Sequence, residues 1–164
     1  MKHTMPMNGI QNELAFPSLL YVGLATFLTL RYPQIFIIRF LSRRTMLWLG
    51  FALLLIGIPL LARAAYEVVS QFESGELIRG GLFRYVRNPI YAAWIFFVIP
   101  GFALLTQSWL FLLTPLVTYA AFKIFIHKEE DYLTARYGDA YLDYKARTGQ
   151  IFPRLKHKYH EYHE

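Results

Sequence analysis

A chain of 164 residues suits one domain, and a hydrophobic content of 55% is too high for an ordinary soluble globule, so lipid is the expected solvent. The formal charge of +6 invites a nucleic-acid reading, but the Lys and Arg residues are scattered between apolar segments and carry no RNA- or DNA-binding motif; no nucleic-acid partner is expected, and the basic residues are read as membrane anchors. The absence of cysteine excludes disulfides, zinc–thiolate sites, a thiol nucleophile and lipid attachment through a thioether.

Met1 to Glu13 lacks a short apolar core followed by a small-residue cleavage site, so the first apolar segment is expected to stay in the mature protein. Leu14 to Leu30 and Thr45 to Ala62 carry no charge, and each is close to the length of about 20 residues that a helix needs to cross the hydrocarbon core. Between them, Ile35 to Leu41 follows a Tyr32-Pro33 break and reads as a half-buried interfacial or re-entrant piece. Arg31, Arg39, Arg43 and Arg44 would reach from it to headgroups. Span one is then open to division into two short elements. A mixed polar segment, Arg63 to Arg87, comes next.

The uncharged stretch from Asn88 to Phe122 is far longer than one crossing of roughly 30 Å requires, so it must fold back. Thr106-Gln107-Ser108 supplies the polar turn, and Pro100-Gly101 is a weaker candidate. In the charged tail beyond Lys123, Glu130, Leu133, Tyr137, Ala140, Tyr141 and Tyr144 recur at spacings of three and four, and Gly138-Asp139 is expected to end one helix and cap the next. The tyrosines belong at headgroup level, where a ring with a polar tip is well placed. The expected architecture is all-α and polytopic, with about four spans, residues 1–164 forming a single membrane domain and both termini on one side. The segment from Arg63 to Arg87 and the tail hold most of the Lys and Arg, so both are expected in the cytoplasm; the four arginines between spans one and two pull against that orientation.

Two clusters flank the hairpin and, with four spans, emerge on the same membrane face. The first runs from Gly75-Glu76-Leu77-Ile78 through Gly81, Phe83, Arg84 and Arg87 to Asn88-Pro89-Ile90-Tyr91. Its glycines let backbone approach a ligand closely, and Pro89 starts a helix. The second is Glu129-Glu130 followed by Leu133, Tyr137-Gly138, Tyr141, Tyr144, Arg147 and Pro153. Taken singly, the arginines are anchors, the acidic pair a solvated helix start and Asn-Pro a turn. Adjacent carboxylates at the end of a span are costly to desolvate, however, and suit water, a cation or hydroxyl donors.

In order and spacing, Gly81-x-Phe83, Arg87-Asn88-Pro89-Ile90-Tyr91, Glu129-Glu130-x-x-Leu133-x-x-x-Tyr137-Gly138-x-x-Tyr141-x-x-Tyr144 and Pro153 resemble the isoprenylcysteine carboxyl methyltransferases and the related phospholipid methyltransferases, over residues 75–153. The resemblance implies an integral membrane methyltransferase with S-adenosyl-L-methionine held between the last spans and a C-terminal amphipathic helix that closes the pocket. It implies cofactor contacts from Gly75, Glu76, Leu77, Ile78, Phe83, Asn88, Pro89, Ile90, Tyr91 and Glu129, and a reacting centre formed by Asn88, Tyr91, Glu129 and Glu130. No metal is required. The implied partners are the lipid bilayer and a lipid-like or small apolar methyl acceptor, met at the cytoplasmic face.

This chain departs from the family pattern at three positions. Asn88 stands where His is usual and cannot act as a base near neutral pH, and Ala93 replaces a usual Gly. Phe125 stands where the prenylcysteine enzymes carry an Arg for the substrate carboxylate. Lys123, His127 and Lys128 are the nearby substitutes, but losing a bidentate guanidinium moves the expected acceptor towards a neutral or amine group. His157, His160 and His163 recur every third position yet lie beyond the matching motifs, so a metal site is not expected there. The alternatives are a nicotinamide-dependent membrane sterol-type reductase, for which the chain is short, and a non-catalytic membrane adaptor. The motifs name neither the acceptor nor the number of subunits.

Overall fold

The computed structural model describes residues 10–72 and 75–154, and the His157, His160 and His163 set lies outside the described residues. Among the described residues, four helical stretches are long and apolar enough to cross a membrane: Asn12–Arg31, Arg43–Gln71, Pro89–Thr106 and Trp109–Tyr137. Their outer surfaces carry large apolar side chains such as Phe16, Leu30 and Leu55, each at least 73% exposed, which is the surface a bilayer covers.

Helix α1 (Gln11–Arg31) is unbroken, with Pro17 accommodated near its start. The break falls at Tyr32, followed by the single turn α2 (Pro33–Phe36). Beyond it the chain is pinned to the far hairpin by an Ile37–Ser108 bridge and an Ile38 N–H donating to the Gln107 carbonyl at 2.8 Å. The Ile35 to Leu41 piece is thus fixed to the turn between spans three and four. Gln107 adopts φ 57 there, closing α5 (Ile99–Thr106) before α6 (Trp109–Leu112) begins.

Helix α3 (Arg43–Phe72) corrects one expectation. The polar segment expected from Arg63 continues the second span as helix for another three turns. Nothing between Leu60 and Phe72 breaks a helix, and Arg63 Nε donates to Glu67 Oε1 at 2.8 Å across one turn. Span three also differs from the weaker turn candidate: α4 (Pro89–Ala93) passes through a π-helical turn, Trp94–Val98, into α5, so Pro100-Gly101 stays helical. The wider turn lies where the Pro100 ring would otherwise meet the carbonyl of Phe96.

Small residues let α3 and span three touch backbone to backbone. A Cβ on Gly101 would sit 2.8 Å from Leu54 Cγ and 3.1 Å from the Gly50 carbonyl oxygen, and one on Gly57 would meet Phe97. Helix α7 (Thr114–Tyr137) completes the fourth span and ends at Gly138, whose N–H donates to Thr134 at 2.9 Å with φ 54. Helix α8 (Asp139–Arg147) then turns back. The core near the site end joins Ile10 and Leu14 to Tyr91, Ile95, Phe122, Ile126 and Ile151.

Candidate active site

The loop between α3 and α4 is held from beneath by one carboxylate. Glu67, only 4% exposed, accepts the Arg63 Nε proton and, at 2.9 Å through Oε2, the Leu82 N–H. Gly81 starts the 3₁₀ turn Gly81–Arg84 with φ 55, and a Cβ there would collide with that carboxylate. The motif reading missed Glu67. A signal for it existed, since it is the first acidic residue after a run from Leu14 to Tyr66 that has none.

The end of this loop is laced to the chain's last described segment. The Arg87 and Asn88 N–H groups donate to the Gly149 and Gln150 carbonyls at 2.8 and 3.0 Å, and Asn88 Nδ2 adds a second bond to Gln150 at 3.1 Å. The Arg87 guanidinium donates to the carbonyls of Lys145 and Thr148 and, at 2.9 Å, to Glu130 Oε1. Glu130 also accepts from Lys145 Nζ at 2.7 Å and from Gln150 Nε2 at 3.1 Å. Three donors therefore occupy the Glu130 carboxylate.

These ties enclose a cavity of about 280 Å³ among the end of α3, the loop, α7 and α8. Of the residues expected to contact a cofactor, Gly75, Glu76, Leu77, Ile78, Phe83, Asn88 and Glu129 line it. Pro89, Ile90 and Tyr91 do not: Pro89 opens α4, and that helix carries Tyr91 round to an adjoining cavity of about 480 Å³ inside the helix bundle. Arg87, Tyr132, Arg136 and the tyrosines Tyr137, Tyr141 and Tyr144 complete the first lining. Gly75 has φ 65 and an open face, the nearest atom to an added Cβ being Arg136 Nη2 at 3.7 Å.

The two cavities meet at one hydrogen bond. The Tyr91 hydroxyl donates to Glu129 Oε2 at 3.0 Å, and the Tyr91 ring lies 5.3 Å from that of Phe122. On α8, burial and then the nearby Glu130 charge push the Tyr141 hydroxyl up to about 12, and burial raises Tyr144 as well. Both stay neutral at physiological pH. Tyr144 donates to the Phe83 carbonyl at 2.6 Å, and Tyr137 reaches that of Glu76 at 3.4 Å.

Two of the three candidates to replace the missing arginine are engaged elsewhere. Lys123 bonds Gln150 Oε1 at 2.8 Å, while Lys128 pairs with Glu13 and lies 5.1 Å above the Phe125 ring. Neither lines the first cavity, and neither does His127.

The family model of the phospholipid methyltransferases matches residues 45–140, from the start of α3 into the start of α8. No curated protein matches the chain.

Proposed function

The chain belongs to the phospholipid methyltransferase family, and from that premise we propose that it transfers a methyl group from S-adenosyl-L-methionine to a lipid-like or small apolar acceptor at the cytoplasmic membrane face. The observation that carries this reading is the Tyr91–Glu129 hydrogen bond, one member lining a cavity of mixed polar and apolar residues at the helix ends and the other an apolar cavity among the helices. A water-soluble donor and a membrane-dissolved acceptor need such a junction.

The residues of the first cavity fit the cofactor. Leu77, Ile78 and Phe83 supply an apolar slot for an adenine ring, Gly75 lets a ligand approach the backbone, and the half-buried Glu129 carboxylate suits a cation or ribose hydroxyls. Its volume lies at the lower edge of the range of roughly 300–1,000 Å³ common for small-molecule sites. The bound cofactor would supply an electrophilic methyl group on a positively charged sulfur. Gly75, Leu77, Ile78, Phe83 and Glu129 would hold it, and it would offer its methyl carbon to an acceptor's lone pair and leave as a neutral thioether.

The protein's part is alignment, exclusion of water and proton handling. Tyr91 orients Glu129, and Glu129 takes the proton released by a neutral amine or hydroxyl acceptor. Asn88 holds the start of α4 against Gln150. Glu130 acts as a positioning residue, fixing Arg87, Lys145 and Gln150 behind the cavity. The catalytic region runs from residue 75 to 153 within one membrane domain. The basic residues of the α3–α4 loop and of α7 and α8, all at the site end, support a cytoplasmic orientation.

The test is direct. S-adenosylhomocysteine is expected to raise the melting temperature of the purified protein, Glu129→Ala to abolish the shift, and methyl-labelled cofactor to label a lipid-extractable product in native membranes. No shift and no labelled product would sink the proposal.

A further inference from the structure

The end of the bundle away from the site carries four arginines and no acid. Arg31 closes α1, Arg39 lies in the link beyond α2, and Arg43 and Arg44 open α3, roughly 31 Å along α1 from the end that packs against Tyr91. No Asp or Glu occurs from Leu14 to Tyr66 or from Leu77 to Lys128, the two stretches that build this end and its hairpin turn. All four arginines are exposed. Among the described residues no side-chain hydrogen bond or ion pair engages Arg39, Arg43 or Arg44, and Arg31 only lies 5.1 Å above the Tyr32 ring. The site end differs: Arg63, Arg87, Lys128 and Lys145 each pair with a glutamate there.

The link that carries them is held in place. Besides the Ile38 bond to Gln107, the Trp109 Nε1 proton goes to the Ile35 carbonyl at 3.2 Å, and the Phe36 and Trp109 rings lie 5.3 Å apart. Ile35, Phe40 and Leu41 stay exposed beside the charges, a composition that suits a segment seated between headgroups and acyl chains. Ser42 Oγ accepts the Thr45 N–H at 3.1 Å, so α3 is capped by its own chain and the unmet charge is that of the guanidinium groups. Like charges on one fixed link repel one another, and Arg43 and Arg44 stand at the helix end whose dipole disfavours cations, with no acidic residue in that turn. An external anion relieves both costs.

We infer that this patch binds the phosphate groups of acidic phospholipids in the leaflet opposite the site. Snorkelling to the surface needs only a long cationic side chain, whereas each guanidinium can also hold two phosphate oxygens at once. A zwitterionic headgroup brings its own cation and leaves the four arginines uncompensated; a headgroup with net negative charge does not. The arginines between spans one and two thereby gain a role that does not require their link to lie in the cytoplasm, which removes their conflict with the orientation of the site. Nothing in this inference depends on methyl transfer.

Two of the three tryptophans report on this end: Trp48, exposed one turn beyond Arg44, and Trp109. The full chain carrying Trp94→Phe is reconstituted in phosphatidylcholine bilayers with a rising fraction of phosphatidylglycerol whose acyl chains are brominated, since bromine quenches tryptophan only at close range. Quenching is expected to exceed the share of acidic lipid in the bilayer, with a preference of roughly tenfold or more over brominated phosphatidylcholine. Each arginine removed should lower that preference by up to roughly fivefold, read in Arg43→Gln/Arg44→Gln and in the variant with all four changed to Gln. Arg79→Gln/Arg84→Gln, at the site end, should keep it. Quenching in simple proportion to lipid fraction overturns the proposal, as does an unchanged preference in a glutamine variant that circular dichroism shows to be folded, or an equal loss in the site-end variant. Should neither glutamine variant fold, the wild-type preference still has to fall as ionic strength rises, and one that ignores salt sinks the idea. Inorganic phosphate that abolishes the preference, where chloride at matched ionic strength does not, overturns lipid as the occupant.

Discussion

The carboxylate of Glu67 fills the space that a side chain on Gly81 would need, so the end of the second span and the loop beyond it form one interlocked unit. That loop carries Leu77, Ile78 and Phe83 to the first cavity. Gly81→Ala should be among the most damaging small substitutions, since it adds backbone strain of about 1–2 kcal/mol to a collision with a buried charged group. Glu67→Ala should cost about 1–3 kcal/mol by leaving the Leu82 N–H without its acceptor. Both are expected to lower the melting temperature and to weaken S-adenosylhomocysteine binding; an unaltered affinity in either would show that the loop does not shape the site.

Tyr91→Phe removes the donor to Glu129 while keeping the ring against Phe122. Loss of a hydrogen bond to a charged group costs about 1.5–3 kcal/mol, so methyl transfer is expected to fall by roughly 10- to 100-fold with a smaller change in cofactor affinity. Labelled-methyl turnover and calorimetric binding, measured on the same preparation, separate the two effects. A fall in affinity as large as the fall in turnover would assign Tyr91 to cofactor binding instead.

Arg87 and Glu130 form an ion pair whose side chains are 10% and 12% exposed, and the same guanidinium holds two carbonyls of the C-terminal segment. Arg87→Ala leaves those acceptors and a largely buried carboxylate behind, a change worth about 3–5 kcal/mol in comparable settings. The expected signature is early proteolysis beyond Arg147, before the spans unfold. Arg87→Lys keeps the charge without the fork and should fall between wild type and alanine.

Tyr141 supplies a pH test. Its hydroxyl lies above the ordinary value of 10.0, at about 12, because burial penalises the phenolate and Glu130 repels it. The folded state therefore holds the proton more tightly than the unfolded chain does. The stability this provides is fully present below pH 10.0 and is lost as pH rises through about 12. Tyr141→Phe should flatten the alkaline decline of the melting temperature across that window, and an unchanged decline would exclude Tyr141 as its source.

Much of the architecture was legible because its causes are local. Charge-free runs mark the crossings, Thr106-Gln107-Ser108 turns because Gln107 sits at φ 57, and Gly138 divides α7 from α8 through its own backbone freedom. The end of α3 was misread because a polar composition is compatible with either loop or helix, and the decision came from Glu67 pairing with Arg63 and Leu82. The Pro100 region was ambiguous for a related reason: a proline signals a break, yet the preceding π-helical turn absorbs it.

The sequence by itself determined the four crossings, the hairpin, the clustering of Gly75 to Asn88 with Glu129 at one membrane face and the resemblance to membrane methyltransferases, all of which follow from hydropathy, turn chemistry and motif order. Only the tertiary structure decided that Tyr91 lines the cavity among the helices while Glu129 lines the one at their ends, that Glu130 is committed to Arg87, Lys145 and Gln150, and that α1 is bonded to the fourth span through Ser18 and Thr118. The physical reason is range. Those relationships join residues 15 to 100 positions apart, such as Glu67 with Leu82 and Ser18 with Thr118, and no local preference of either partner specifies where the other will be.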